Sequence, residues 1–135
     1  MSHRQMIQSF FLSALGIGEG DEVIVPSFTF VASVQAVEMC GATPVLCEVE
    51  QDTFLMDIED VKRKITSKTK AIMPVHYSGN PCDMDEFLKI KEKTGIRIVE
   101  DAAHAIGSTY KGRKIGSFGD VTCFSFDSIK VITCG

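Results

Sequence analysis

The sequence predicts an α/β fold with a largely parallel sheet, and three observations carry that reading: short runs rich in Val and Ile, amphipathic stretches alternating with them, and a globular composition. The chain has 135 residues, 44% of them hydrophobic and 24% charged, which is the size and balance of one ordinary domain. Strands are expected over 22–25, 44–49, 71–75, 97–99 and 121–126. Ahead of the first, Met6, Ile7, Phe10, Phe11, Ala14 and Leu15 fall on one face at helical spacing, and Gly16 follows where a helix would stop. A second helix is expected from just after Ser27 to about Met39, ended by Gly41. Asp57 caps a third, whose apolar positions Ile58, Val61 and Ile65 recur three and four residues apart. Asp83 with Glu86 three residues on has the form of a capping box for a fourth, which buries Met84, Phe87 and Leu88 and stops at Gly95.

Fourteen Lys and Arg against eighteen Asp and Glu leave a net charge of -4, which argues against a chain whose task is to hold nucleic acid or an anionic membrane. No apolar run approaches the roughly 18 residues that a membrane helix needs, and the N-terminal segment lacks the pattern of a cleaved leader, so a soluble, cytoplasmic protein is expected. The five cysteines, Cys40, Cys47, Cys82, Cys123 and Cys134, are odd in number and widely spaced. That pattern suggests neither a disulfide framework nor a metal site, and small buried or half-buried thiols are expected. There is no internal repeat or linker. The chain stops immediately after a strand-like run, where a complete α/β layer would continue, so a cut chain is expected.

Three segments are candidates for chemistry. Gly16-Ile-Gly-Glu-Gly20 resembles a phosphate loop only superficially: the dinucleotide fingerprint leads out of a strand into a helix, whereas these glycines follow a helix and precede a strand. A helix-ending turn is expected. Glu100-Asp101-Ala-Ala-His104 follows the apolar strand 97–99, and ligands of open α/β sheets bind at the carboxyl ends of strands. Two acids buried there need partners. Either they meet a cation or ligand, or Asp101 caps the following turn and His104 packs in the core. Ser125 and Lys130 stand five residues apart after the last strand, and Ile129, Val131 and Ile132 surround the amine with apolar side chains. Desolvation makes such an amine a usable nucleophile near neutral pH; the alternative is a solvated surface charge. A lysine, a carboxylate and a hydroxyl, each near a strand end, are the parts that hold pyridoxal phosphate.

The chain closely resembles the DegT/DnrJ/EryC1/StrS family of sugar-nucleotide aminotransferases. The resemblance runs from Ala14-Leu-Gly-Ile-Gly-Glu-Gly-Asp-Glu-Val-Ile-Val-Pro-Ser-Phe-Thr-Phe30 through Thr69-Lys-Ala-Ile-Met-Pro-Val-His76 and Glu100-Asp-Ala-Ala-His-Ala105. It continues in Tyr110-Lys-Gly-Arg113, Gly119-Asp120, Phe124-Ser-Phe126 and Lys130-Val-Ile-Thr133, in the family's order and spacing. It implies an α/β architecture: the mostly parallel, three-layer α/β/α large domain of a fold type I enzyme dependent on pyridoxal 5'-phosphate. Lys130 is then the Schiff-base lysine that also shuttles a proton, and Asp101 the partner of the pyridine nitrogen. His104 lies beside the ring and its hydroxyl, Ser125 contacts the phosphate, and Phe30 stacks on the ring. Phe28, two residues from Phe30, could be confused with it; its alternative role is core packing.

Two departures qualify the resemblance. Relatives begin with a Gly-Thr or Gly-Ser-Thr turn that cradles the cofactor phosphate, and here Met1-Ser-His-Arg-Gln-Met-Ile-Gln stands in its place. Relatives also continue past the lysine into the rest of the sheet and a small C-terminal domain. Residues 1–135 are therefore expected to be a partial cofactor-binding large domain without the small domain. The function implied is transfer of an amino group, from glutamate, to a nucleotide-linked keto-sugar, in a homodimer, with no nucleic-acid or membrane partner. The alternative is a truncated chain, inactive alone, that serves as an assembly remnant.

Overall fold

The computed structural model describes residues 3–126. The elements in chain order are α1 (His3–Ala14), β1 (Glu22–Pro26), α2 (Val31–Met39), β2 (Thr43–Cys47), α3 (Ile58–Lys64), β3 (Thr69–Ile72), α4 (Met84–Thr94), β4 (Arg97–Asp101), β5 (Thr109–Tyr110), β6 (Arg113–Lys114) and β7 (Val121–Cys123). Five strands form one parallel sheet in the order β2-β1-β3-β4-β7. Alternation along each strand sorts the side chains into two cores. Ile24, Ile72 and Ile98 face the layer that holds Val61 of α3 and Met84, Phe87 and Ile90 of α4. Val23, Val25, Ala71, Met73 and Val99 face the layer that holds Leu12 of α1 and Val37 of α2. The result is the α/β/α sandwich and mostly parallel sheet that the family resemblance implies.

Local chemistry explains three helix ends. Asp57 accepts hydrogen bonds from the backbone N–H groups of Glu59 and Asp60 at 2.9 and 3.3 Å, a cap that stabilises a helix start by about 1 kcal/mol. Asp83 caps α4 through Glu86 N at 3.4 Å, but the Glu86 carboxylate turns to Lys62 and Lys89. Gly95 ends α4 in the left-handed region at φ 76°, where a side chain would be strained.

Several expectations need correction, and the strands expected over 44–49 and 71–75 run instead over Thr43–Cys47 and Thr69–Ile72. The apolar stripe of α1 is not its buried face: Met6, Ile7 and Phe10 are 52, 47 and 69% exposed, whereas Gln8 and Leu12 are fully buried. The polar Gln8 is drawn inward because a buried carboxylate on β4 takes its amide proton. The second helix starts at Val31, because Ser27 N still donates to Cys47 O at 2.7 Å and so continues the strand pairing. The last strand ends at Cys123 rather than 126, after Ala102 N takes the Cys123 carbonyl. The periodicity also gave no sign of the β5–β6 hairpin, whose turn residues Lys111 and Gly112 both have positive φ, 48° and 81°. That pair of angles is the mirror-image turn that suits the twist of two adjacent strands.

Candidate active site

Parallel strands leave their carboxyl ends open between two helix layers, and β4 carries two adjacent acids to that edge. Both are buried, Glu100 at 0% and Asp101 at 1% exposure. Because successive residues of a strand point to opposite faces, each acid finds different partners. Asp101 faces the α1–α2 layer. Its Oδ2 accepts from Gln8 Nε2 at 3.0 Å and Ser33 Oγ at 2.8 Å, and its Oδ1 accepts from Ala103 N at 3.2 Å. Asp101 therefore caps the turn that follows it and also presents an oriented carboxylate to the cavity beside it.

Glu100 faces the other layer. Its Oε1 accepts from Gly119 N at 2.6 Å and Thr122 Oγ1 at 3.1 Å, and its Oε2 meets His76 Nε2 at 3.0 Å. The other ring nitrogen, Nδ1, accepts the backbone N–H of Cys82 at 3.1 Å. That bond assigns the ring proton to Nε2, so His76 donates to Glu100. Burial pushes the Glu100 carboxyl up, but the donors from His76, Gly119 and Thr122 outweigh it and hold the group below its ordinary value. The cluster ties the loop after β3 and the start of β7 to β4. A Cβ added at Gly119 would stand 2.7 Å from Ile98 O, so only glycine fits there.

A pocket of about 300 Å³ opens at this edge, lined by Phe28, Thr29, Phe30, Val75, His76, Tyr77, Asp101, Ala103 and His104. The structure thus brings together three of the expected site residues, Asp101, His104 and Phe30. His104 is exposed and does not pack in the core. Phe28 and Phe30 both line the pocket, and Phe28, 45% exposed, is not a core residue either. Ser125 is half-buried, past the end of β7, and is not part of this pocket's lining. Lys130 lies outside the described residues. Sequence reasoning missed Gln8, Ser33 and His76 as partners of the two acids. The available signal was a polar residue within an otherwise apolar helical segment, Met6-Ile-Gln8. Thr29 Oγ1 and Gln8 Oε1 are buried without a hydrogen-bond partner among the described residues.

The chain is similar to several known proteins. The chain is 49% identical over 124 residues to the GDP-perosamine synthase of Escherichia coli O157:H7, covering 92% of this chain and 34% of that protein. DesV from S. venezuelae, solved in complex with a ketimine intermediate, superposes with a TM-score of 0.94 at 45% identity, over 98% of this chain and 36% of that one. NtdA from Bacillus subtilis, solved with bound cofactor PMP, superposes with a TM-score of 0.90 at 34% identity, over 98% and 30%. The chain spans about a third of the length of the curated relatives it matches. With the family profile matching residues 9–135, and with an acid at the end of β4 facing an aromatic pocket, the chain belongs to the DegT/DnrJ/EryC1/StrS aminotransferase family.

Proposed function

We propose that residues 1–135 form part of the large domain of a pyridoxal-phosphate-dependent aminotransferase that moves an amino group, from glutamate, onto a nucleotide-linked keto-sugar. The observation that carries this reading is Asp101: a buried carboxylate, oriented by Gln8, Ser33 and Ala103, at one side of a pocket lined with aromatic rings. A flat heteroaromatic ring with a basic nitrogen fits that donor set, because the carboxylate is acceptor-only and the Phe28, Phe30 and Tyr77 rings offer apolar faces. When bound, pyridoxal phosphate supplies an electron sink for the pair left by a broken C–H bond.

The chain's own residues divide the remaining work. Asp101 holds a proton on the pyridine nitrogen, and Gln8 and Ser33 keep its carboxylate aimed there. When the cofactor is bound, Phe30 would cover a face of its ring, His104 would hold its ring hydroxyl and Ser125 its phosphate. Lys130 would be the residue that anchors it and moves the proton. The protein works in the cytoplasm as a homodimer with no nucleic-acid or membrane partner. Support for pairing comes from the exposed Met6, Ile7 and Phe10 on α1, and no helix among the described residues is long and apolar enough to cross a membrane.

The test is incubation of the chain with pyridoxal phosphate, borohydride reduction and peptide mapping. A pyridoxyl label on Lys130, lost in Lys130→Ala, is expected. A label on another lysine, or none, overturns the assignment.

A further inference from the structure

The pairing of β3 with β4 stops at Ile72 and Ile98, short of the strand end that carries Asp101. Beyond it, the irregular segment Met73-Pro-Val-His76 takes over. Asp101 N donates to Pro74 O at 2.9 Å, His76 N donates to Asp101 O at 3.1 Å, and Val75 and Asp101 form an isolated parallel bridge. The backbone of Asp101 is therefore set by this segment on one side and by Cys123 of β7 on the other. Pro74 has no N–H to offer, so the segment has fewer ladder bonds to fix it than a regular strand would have.

Its anchor is a side chain. His76 is 1% exposed, and both nitrogens of its ring are engaged: Nδ1 accepts from Cys82 N at 3.1 Å, and Nε2 donates to Glu100 Oε2 at 3.0 Å. One partner donates and the other accepts, which excludes a flipped ring and the other tautomer. Glu100 is itself held, because Gly119 N and Thr122 Oγ1 donate to its second oxygen at 2.6 and 3.1 Å. Cys82 also returns a bond to the segment, from Sγ to Val75 O at 3.3 Å. Buried polar pairs are often no more stabilising than apolar side chains of similar volume; what a fully satisfied one contributes is a fixed direction.

The pinned segment reaches the pocket at two further points. Val75 and Tyr77, on either side of His76, line it, and the turn that follows packs so closely that a Cβ added at Gly79 would stand 2.8 Å from His104 O. A shift of the segment would thus move Asp101 and the wall beside it together, and a displacement of about 1 Å in such a site can cost on the order of a hundredfold in rate. We propose that His76 is a positioning residue for Asp101: its hydrogen bond to Glu100, on the opposite face of β4, pins the 74–76 segment, and that segment sets the direction of the Asp101 carboxylate at the pocket. This rests on the aminotransferase reading above for what Asp101 does there.

The experiment uses the full chain, read without cofactor by proton–nitrogen correlation NMR and then titrated with pyridoxal phosphate. The Ala103 amide and the Gln8 side-chain amide each bond one oxygen of Asp101, so their signals report its direction. In the wild-type chain the His76 ring is expected to carry its proton on Nε2; a proton on Nδ1, or a charged ring at neutral pH, overturns the proposal. His76→Gln places a donor where Nε2 stood and is expected to leave both signals in place and pyridoxal phosphate affinity within about twofold of wild type. His76→Asn keeps the acceptor for Cys82 N but falls short of Glu100, and is expected to move both signals and weaken affinity roughly tenfold. Where that variant does not fold, Glu100→Gln serves in its place: its amide must turn an N–H toward one of the donors that Glu100 accepts, and the same shifts are expected. On an Asp101→Asn background, His76→Asn should add less than about twofold to the loss of affinity, because the group it positions is already gone; a purely structural residue would add its full effect. Unmoved signals in His76→Asn or Glu100→Gln, no rescue by His76→Gln, or full additivity each overturn the proposal. Moved signals, with affinity unaltered in both His76→Asn and Asp101→Asn, defeat the cofactor reading alone and support the positioning role.

Discussion

Glu100 accepts a hydrogen bond from His76 Nε2 at 3.0 Å, back to back on β4 with Asp101, whose carboxylate meets Gln8 and Ser33 on the opposite face. One strand end therefore holds two buried acids with separate tasks. Glu100 ties three strand ends together through His76, Gly119 and Thr122, and Asp101 is left oriented toward the pocket.

Asp101→Asn replaces an acceptor-only group with one that must turn an N–H toward a donor. Either Gln8 and Ser33 or Ala103 then faces a donor, at a cost of about 1–3 kcal/mol in urea denaturation. Pyridoxal phosphate affinity is expected to fall as well. Unchanged stability and affinity would show that the carboxylate has neither role.

Glu100 makes stability fall with acid. Its folded-state pKa lies below the ordinary 4.5, so the unfolded chain binds the proton first. The stabilisation is complete above about pH 4.5 and is lost as pH falls through the lower folded-state value. Glu100→Gln should be less stable at pH 7 but show a flatter decline below pH 4.5, read by denaturant melts across pH. Parallel acid limbs in the two proteins would refute it.

Leu12 and Phe10 test which face of α1 is buried. Leu12→Ala should cost about 2–5 kcal/mol, because Leu12 is fully buried between α1 and the sheet. Phe10→Ser should change intrinsic stability by no more than about 0.5 kcal/mol and instead weaken self-association, measured by light scattering. A larger loss from Phe10→Ser than from Leu12→Ala would restore the face that periodicity selects.

Thiol reactivity should be uneven. Burial pushes Cys47 and Cys82 up to about 12, with nearby acids adding to the effect, so both should resist alkylation at pH 8 until the chain unfolds. Among the described cysteines Cys40, only half-buried, should react first. Rapid native-state labelling of Cys82, resolved by peptide mapping, would contradict its burial.

Much of this was legible in residue order. Asp57, Asp83 and Gly95 mark helix ends through bonds that span two to four residues, so local sequence suffices to find them. The glycines after α1 read correctly as a turn, with Gly16 and Gly20 at φ 79° and 86°, because a phosphate loop requires the opposite order of strand and helix. The acids of β4 were visible as acids at a strand end. Their partners were not: Gln8 lies 93 residues from Asp101 in the chain, and His76 lies 24 from Glu100.

The sequence by itself determined the alternation of strands and helices, the strand end that carries the two acids and the family to which the chain belongs, since each depends on local spacing or on motifs in order. Only the tertiary structure decided which face of α1 is buried, which nitrogen of His76 holds the proton and which rings meet at the pocket. Those outcomes depend on groups far apart in the chain that compete for the same buried space. A buried carboxylate that needs a donor can outbid an apolar stripe for the inside of a helix, and no periodicity along α1 records that competition.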